Sequence, residues 1–433
     1  MKIRWFMMPA LACGCAMVFA QSAGHDAGVA AQPAPLRLDE VIRLAEERNP
    51  ETAGAEHAVR ALEHRIRPAR TLPDPTASVG WAGKATPFAT MSGDASSYRG
   101  FSISEQFPAR GKLRLAGEMA RRDVDAAKVD CEAARRRVVL AVRLAYAEYF
   151  YLGKAIESEQ KSKDLLGKLA QIAETQYRVG KASQQDVLRA QVEISLLMEK
   201  LTMLDAQRAQ AVADLNTAMQ QNPETPLGVP EALQSRPLRY TLDELYALAE
   251  AHDTGLARGV ATLERGKLAV SLAERQLRPD VNVSYMFQQR TDQSAMNGAT
   301  VSVSLPLFRN ARQREGIAEA AESLASADRM QQNQRTLVRA EVRRNALAAE
   351  SAERLMTLYS KAIVPQTALE LESSMSSYQV GKADFNAVMM SFNAELEYET
   401  GYYRQLADRE MALARLESLT DEPVTAADAK GAR

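Results

Sequence analysis

Four histidines, three cysteines and the adjacent Met389 and Met390 are where chemistry could start in this 433-residue chain. His25, His57, His64 and His252 have no partner at metal-ligand spacing. Met389 and Met390 offer soft sulfur, but adjacent helical residues point about 100° apart, so the pair reads as packing and not as one site. A phosphate loop, a nucleophile elbow and a paired-carboxylate motif are all missing. No cofactor, no metal site and no enzymatic activity is expected. Fifty-four basic against 55 acidic residues leave a net charge of −1, which gives no basic surplus to hold a nucleic acid.

Cys13 and Cys15 fall in an opening segment with Lys2, Arg4, an apolar run from Trp5 to Phe19, and a small residue at Ala20. That pattern reads as a secretory signal peptide over 1–20. The rival is a membrane anchor, though the run is short of the ~20 apolar residues a spanning helix needs. A lipidated N-terminus is a third reading, although neither cysteine has Leu three places before it. Cleavage after Ala20 leaves Cys131 alone, with no intrachain disulfide open to it.

With no catalytic constellation, the informative residues are those that recur. "YRVGKASQQDVLRAQ" (177–191) returns as "YQVGKADFNAVMMSF" (378–392). "LRLDEVIRLAEERNP" (36–50) returns as "YTLDELYALAEAHDT" (240–254), "LPDPTASVGWAG" (72–83) as "LRPDVNVSYMFQ" (277–288), and "GFSISEQFPARGK" (100–112) as "ATVSVSLPLFRNA" (299–311). Four landmarks in one order at nearly constant spacing mean a tandem duplication. The copies span 36–221 and 238–420, joined by a Pro-containing link over 222–237. Small, polar stretches at 21–35 and 421–433 read as flexible tails.

Each copy reads as two short helices, two short strands, a very long helix, a Gly turn and a return helix. No proline falls between Pro108 and Pro223, and an interior proline costs about 3 kcal/mol, so very long helices are permitted. Leu113, Ala116, Ala120, Val124, Ala127, Cys131, Ala134, Val138, Ala141 and Ala145 follow a 3-4 spacing, a coiled-coil seam with small knobs. In the second copy Pro365 predicts a bend before Gly381.

The strands are expected at about 74–83, 98–107, 279–288 and 299–307. Ala77, Val79 and Trp81 alternate with Ser78 and Gly80; Phe101 and Ile103 with Ser102 and Ser104; Val281, Val283, Tyr285 and Phe287 with Asn282 and Ser284; Val301, Val303 and Leu305 with Ser302 and Ser304. Alternation alone fits a soluble sandwich or a membrane barrel. The export signal, hairpins near the ~9–11 residues of a spanning strand, and small polar inward residues favour the barrel. Ser78, Ser102, Ser104, Asn282, Ser284, Ser302 and Ser304 then line its lumen. Four strands cannot close, and lipid tolerates no open edge, so copies must share the barrel. Two copies would give eight strands and three would give twelve, a ring roughly 24 Å across.

The paired Gly turns, with "SEQFPARGKLRLAGEMA" and "SLPLFRNARQREGIAEA" where strands pass into helices, resemble the TolC-type outer-membrane efflux family over about 36–420. "FPARGK" and "VPQTALELESSMSSYQVGKADF" look most like its heavy-metal or cation branch. The resemblance implies a mainly α fold with a shared transmembrane β-barrel: a homotrimer with a 12-stranded β-barrel in the outer membrane of a Gram-negative bacterium and a trimeric α-barrel in the periplasm. It implies a passive channel served by a periplasmic adaptor and an inner-membrane pump of proton-driven type. Val179, Gly180, Lys181, Val380, Gly381 and Lys382 match the adaptor-docking tips. Asp186 and Tyr378 match the closed periplasmic aperture. The basic partner there is replaced by Ala383, and the narrowing acidic rings by Ala387 and Met390, which leaves Asp384 as a substitute acid. A channel for type I protein secretion, and a periplasmic coiled-coil scaffold without a pore, are the competing readings.

Overall fold

The computed structural model describes residues 35–425; the expected signal peptide over 1–20 lies outside the described residues. The first copy comprises α1 (Leu38–Arg48), α2 (Pro50–Arg70), β1 (Thr76–Ala82), β2 (Tyr98–Phe107), α3 (Lys112–Arg178) and α4 (Gln184–Ala218). The second comprises α5 (Leu242–His252), α6 (Thr254–Arg275), β3 (Val281–Gln289), β4 (Met296–Val303), α7 (Gln313–Leu358), α8 (Val364–Gln379) and α9 (Phe385–Thr420). One π turn, Tyr359–Ile363, links α7 to α8.

Local chemistry fixes the helix starts. Asn49 caps α2 by accepting from the Glu51 N–H at 2.9 Å, with Pro50 in the first turn. Thr241 and Glu244 form a reciprocal capping box on α5, and Asp253 caps α6 at 2.8 Å from the Leu256 N–H.

At 67 residues α3 is roughly 100 Å long at ~1.5 Å per residue, so it needs neighbours throughout. Apolar clusters supply them, and the second copy builds its own. In the first, Val41 and Ala45 of α1 meet Val138, Val142 and Tyr146 of α3 and Leu204 and Leu215 of α4. Its counterpart joins Leu245 and Ala249 of α5 to Val338 and Val342 of α7 and Leu413 and Leu416 of α9. The third, near the Gly turns, brings together Leu166 and Leu169 of α3, Ala190 of α4, Leu371 of α8 and Phe385 and Phe392 of α9. Between the first and third clusters α3 buries Ser158, Glu159 and Ser162 instead. Burial raises the Glu159 carboxyl, and its Oε2 has no hydrogen-bond partner among the described residues.

Three expectations need correction. The α3 seam does not continue to Ala141, which is exposed; Val142, Tyr146 and Tyr149 carry it on. A 3.6-residue helix drifts against a 3.5-residue repeat, and the large aromatics sit where α1 and the link must be reached. The chain from 421 is not all tail. Val424 is fully buried in the second-copy cluster, the Arg239 N–H donates to its carbonyl at 2.9 Å, and Leu238 pairs with Thr425. Finally, β4 begins at Met296 and ends at Val303, which puts Ser304 and Leu305 beyond it, just ahead of Pro306, which has no N–H to donate. The 222–237 link is strapped down. Asn216 Nδ2 donates to the Thr225 carbonyl at 2.8 Å, the Tyr149 hydroxyl to that of Gly228 at 3.2 Å, and Leu36 pairs with Pro230.

Candidate functional site: the sheet faces and the hairpin tips

The four strands form one antiparallel sheet in the order β1-β2-β3-β4, so β1 and β4 are free edges. Register sorts the side chains into two faces. Thr76 lies opposite Ser104, Ser104 opposite Ser284, and Ser284 opposite Thr300. One step along, Ser78, Ser102, Met286 and Gly298 form the next row of that face, and Gln106, Asn282 and Ser302 a third. The opposite face carries Val79, Phe101, Phe287 and Asn297 in one row, Ala77, Ile103, Tyr285 and Ala299 in another, and Glu105, Val283 and Val301 in a third nearer the helices, so it is mainly apolar. Val79 is 67% exposed and Val301 66%, so a large apolar surface faces outward with nothing among the described residues to cover it. Six of the seven candidate lumen residues therefore share the polar face. Ser304 lies past its strand, where its Oγ accepts from the Asp280 N–H at 3.1 Å. Among the described residues no helix is long and apolar enough to cross a membrane.

At the other end of the molecule the two Gly turns are built alike. Gly180 and Gly381 both have φ of 73°, the left-handed region that a β-carbon disfavours. The Gly180 N–H donates to the Tyr177 carbonyl at 2.9 Å and Lys181 N–H to that of Gln176 at 2.8 Å. Gly381 donates to Tyr378 at 3.0 Å and Lys382 to Ser377 at 2.8 Å. Each pair is a Schellman motif that satisfies the last helix carbonyls. Val179 and Val380 are 63% and 68% exposed, so both turns offer an apolar residue beside a lysine. Gln176 Nε2 donates to the Gln379 carbonyl at 2.9 Å and ties the turns together; sequence reading gave it no role.

The candidate aperture residues have local duties. Asp186 forms a capping box with Ser183, whose Oγ donates to it at 2.9 Å. Asp384 caps α9 by accepting from the Ala387 N–H at 2.7 Å. Tyr378 is buried edge-on to Phe385, ring centres 5.5 Å apart. Its hydroxyl has no partner among the described residues, and burial, with the nearby Asp186 charge, pushes its pKa up to about 12. So Asp186 and Tyr378 are brought near one another, while Asp384 belongs to the start of its own helix. Met389 is buried and Met390 exposed, so the two sulfurs point apart.

A contact between the copies was also not visible in the motifs. Lys112, buried at the start of α3, donates to Asp280 at 2.8 Å. Only the matching position of Asp280 in the two copies hints at it.

A sheet with one polar and one apolar face, carried on helices too long for a compact domain, defines a class of protein: strands that close a barrel continued by a helical tube. Residues 41–220 match the family model described as outer membrane efflux protein. Several solved structures share the fold. The outer membrane protein VceC of Vibrio cholerae aligns with a TM-score of 0.75 at 17% identity, covering 88% of this chain and 95% of that one. The CmeC outer membrane channel of Campylobacter jejuni gives 0.74 at 13%, covering 90% and 86%. CusC, described in terms of transmembrane channel formation, gives 0.73 at 14%, covering 92% and 95%. Among curated proteins none matches the sequence. Over residues 41–220 the sequence is thus similar to outer membrane efflux proteins, and over most of its length the chain shares the fold of these outer membrane channels. The neighbours named are described as an outer membrane protein, an outer membrane channel and a transmembrane channel.

Proposed function

We propose that three copies of this chain close into one channel that conducts substrate passively from a periplasmic adaptor and an inner-membrane pump to the exterior. The observation that carries the reading is the two-faced sheet with two free edges. Unpaired edge N–H and C=O groups are not tolerated in lipid, so each edge needs a strand from another copy. Twelve strands leave an open ring roughly 24 Å across, and small Ser and Gly side chains keep it open. The six turns of three copies would form the periplasmic mouth, where Val179, Gly180, Lys181, Val380, Gly381 and Lys382 receive the adaptor. The cargo we infer is metal cations, on the strength of the "FPARGK" and α8 resemblances.

The test compares neighbouring residues on opposite faces. Tyr285→Arg, mid-strand and opposite Ile103 and Ala299, places a charge on the apolar face and is expected to impair membrane assembly, at roughly 2–4 kcal/mol near mid-depth. Ser284→Arg is expected to assemble as a trimer with altered conductance. Equal tolerance of both, or a stable monomer by light scattering after detergent correction, would overturn the reading. Restored metal resistance, in a strain lacking its own channel but carrying the cognate pump, checks the cargo.

A further inference from the structure

The inner seam of the sheet, β2 with β3, joins the two copies of the duplicated unit and is clasped at its helix end. Asp280, one residue before β3, accepts the Ala109 N–H at 2.6 Å and the Lys112 ammonium at 2.8 Å. Lys112 also donates to the Arg278 carbonyl at 3.3 Å. Both donors come from the β2-to-α3 junction, "FPARGKLR".

The β4-to-α7 junction, "LPLFRNARQR", repeats that order with two more residues. Phe107-Pro108 corresponds to Leu305-Pro306, and Lys112-Leu113-Arg114 to Arg312-Gln313-Arg314. Asp74 follows Pro73 before β1 as Asp280 follows Pro279 before β3. Hairpin register agrees independently. Thr76, two residues after Asp74, lies opposite Ser104, three before Phe107. Asn282, two after Asp280, lies opposite Ser302, three before Leu305.

Within one chain the second clasp has both halves and no closure. Asp74 is exposed and makes no hydrogen bond or ion pair among the described residues, and the same holds for the side chains of Arg309, Arg312 and Arg314. Around them Leu305 is 67% exposed, and Leu307 and Phe308 79% each. The helices tell the same story: α3 packs against both α2 and α6, whereas α7 packs against α6 and has no counterpart of α2 on its other flank.

We propose that these halves form an intermolecular clasp, in which the carboxylate of Asp74 in one copy accepts the guanidinium of Arg312 in the next. The inference rests on the ring closure proposed above and adds its register and its lock. Transposing the β2–β3 seam sets Val301 opposite Val79 of the next copy, as Ile103 lies opposite Tyr285, and Ser302 opposite Ser78, as Ser104 lies opposite Ser284. Polar residues then stay on the polar face around the ring. Arginine, longer than lysine and forked for a carboxylate, suits a junction longer by two residues.

The experiment uses the full chain in its membrane with Cys131→Ser. Val79→Cys with Val301→Cys, oxidised, reports the edge pairing; Asp74→Cys with Arg312→Cys, treated with a short bis-maleimide, reports the clasp. Both double variants are expected to run as covalent trimers on denaturing gels, and each single variant as a monomer. An edge crosslink without a clasp crosslink overturns the clasp and leaves the ring standing. Loss of both, with protein present in the membrane, overturns the ring as well. As a second measurement, Asp74→Arg or Arg312→Asp alone should lose most of the heat-resistant trimer, and the two together should recover it. Single variants that keep the trimer, or a double variant no better than either, overturn the pairing.

Discussion

The two long hairpins end in the same turn but reach it along different rods. Helix α3 runs unbroken from Lys112 to Arg178, whereas its counterpart is divided into α7, a π turn at Tyr359–Ile363, and α8. The division coincides with Pro365, which has no N–H to give and crowds the carbonyl one turn back. Ile363 and Val364 nevertheless keep helical angles, φ −68° and −60°, although a residue before proline disfavours them. The wider π turn makes room for the ring, and the Thr367 hydroxyl turns back to the Ile363 carbonyl at 3.1 Å. The duplication has thus held its ends, caps and turns, more tightly than its middle. A proline is tolerated where the helix can insert one extra residue in a turn and not merely where it is exposed.

The sharpest way to break that comparison is to move the proline. Asp164 is exposed and stands as far before Gly180 as Pro365 stands before Gly381. Asp164→Pro, in a rod with no π turn, is expected to cost about 3 kcal/mol or more. Thermal unfolding and the yield of assembled protein would show it, with Pro365→Ala well tolerated beside it.

Next in size are the turns themselves. Gly180→Val and Gly381→Val should each cost roughly 1–2 kcal/mol for a β-carbon at positive φ, and by equal amounts. A β-carbon at either site meets nothing within 4 Å, so the cost is backbone strain alone and the trimer should persist. Amide hydrogen exchange at the tips would measure it. Loss of adaptor crosslinking at normal trimer level would assign docking to the turns, and normal crosslinking would make them helix ends only.

Helix caps should matter somewhat less. Ser183→Ala and Asp384→Ala each remove a cap, worth about 1 kcal/mol. Asp384→Asn keeps a capping oxygen; if it raises passive leak at unchanged melting temperature, the charge helps to close the mouth. No change in leak would leave Asp384 as a cap.

The smallest effect is expected at Tyr378. Its hydroxyl has no partner among the described residues, so Tyr378→Phe should change stability by less than about 1 kcal/mol. The difference should appear in alkali. A pKa raised to about 12, from about 10 in an unfolded chain, makes the neutral phenol a stabilising group at lower pH. That stability is complete below about pH 10 and lost as pH climbs through about 12. Melting curves across that window should fall more steeply for the parent protein than for the phenylalanine variant.

Much of this was legible in the sequence because it follows from short-range rules. Alternation set the strand faces, and Gly180 and Gly381 marked turns needing positive φ. What escaped depends on partners far along the chain. Ala141 fits a heptad as well as Val142 does, and only the position of α1 makes Val142 the buried one. Val424 looked like part of a polar tail because one buried valine leaves no pattern. Lys112 and Asp280 lie in different copies, so no local motif announces their pairing. A proline says that a helix is disturbed; the neighbouring turns decide how it recovers.

The buried Ser158, Glu159 and Ser162 have a mechanical consequence. Because they interrupt the apolar stripe of α3, the packing beyond the turn-side cluster is not continuous with the packing beneath it. An interrupted apolar stripe is where one part of a rod can open apart from the rest. The outer part can loosen at the cost of its own contacts while the remainder keeps its shape, like a gate hung on a fixed post. Under the proposed function, the mouth formed by these turns would open without drawing on the contacts of the barrel above it.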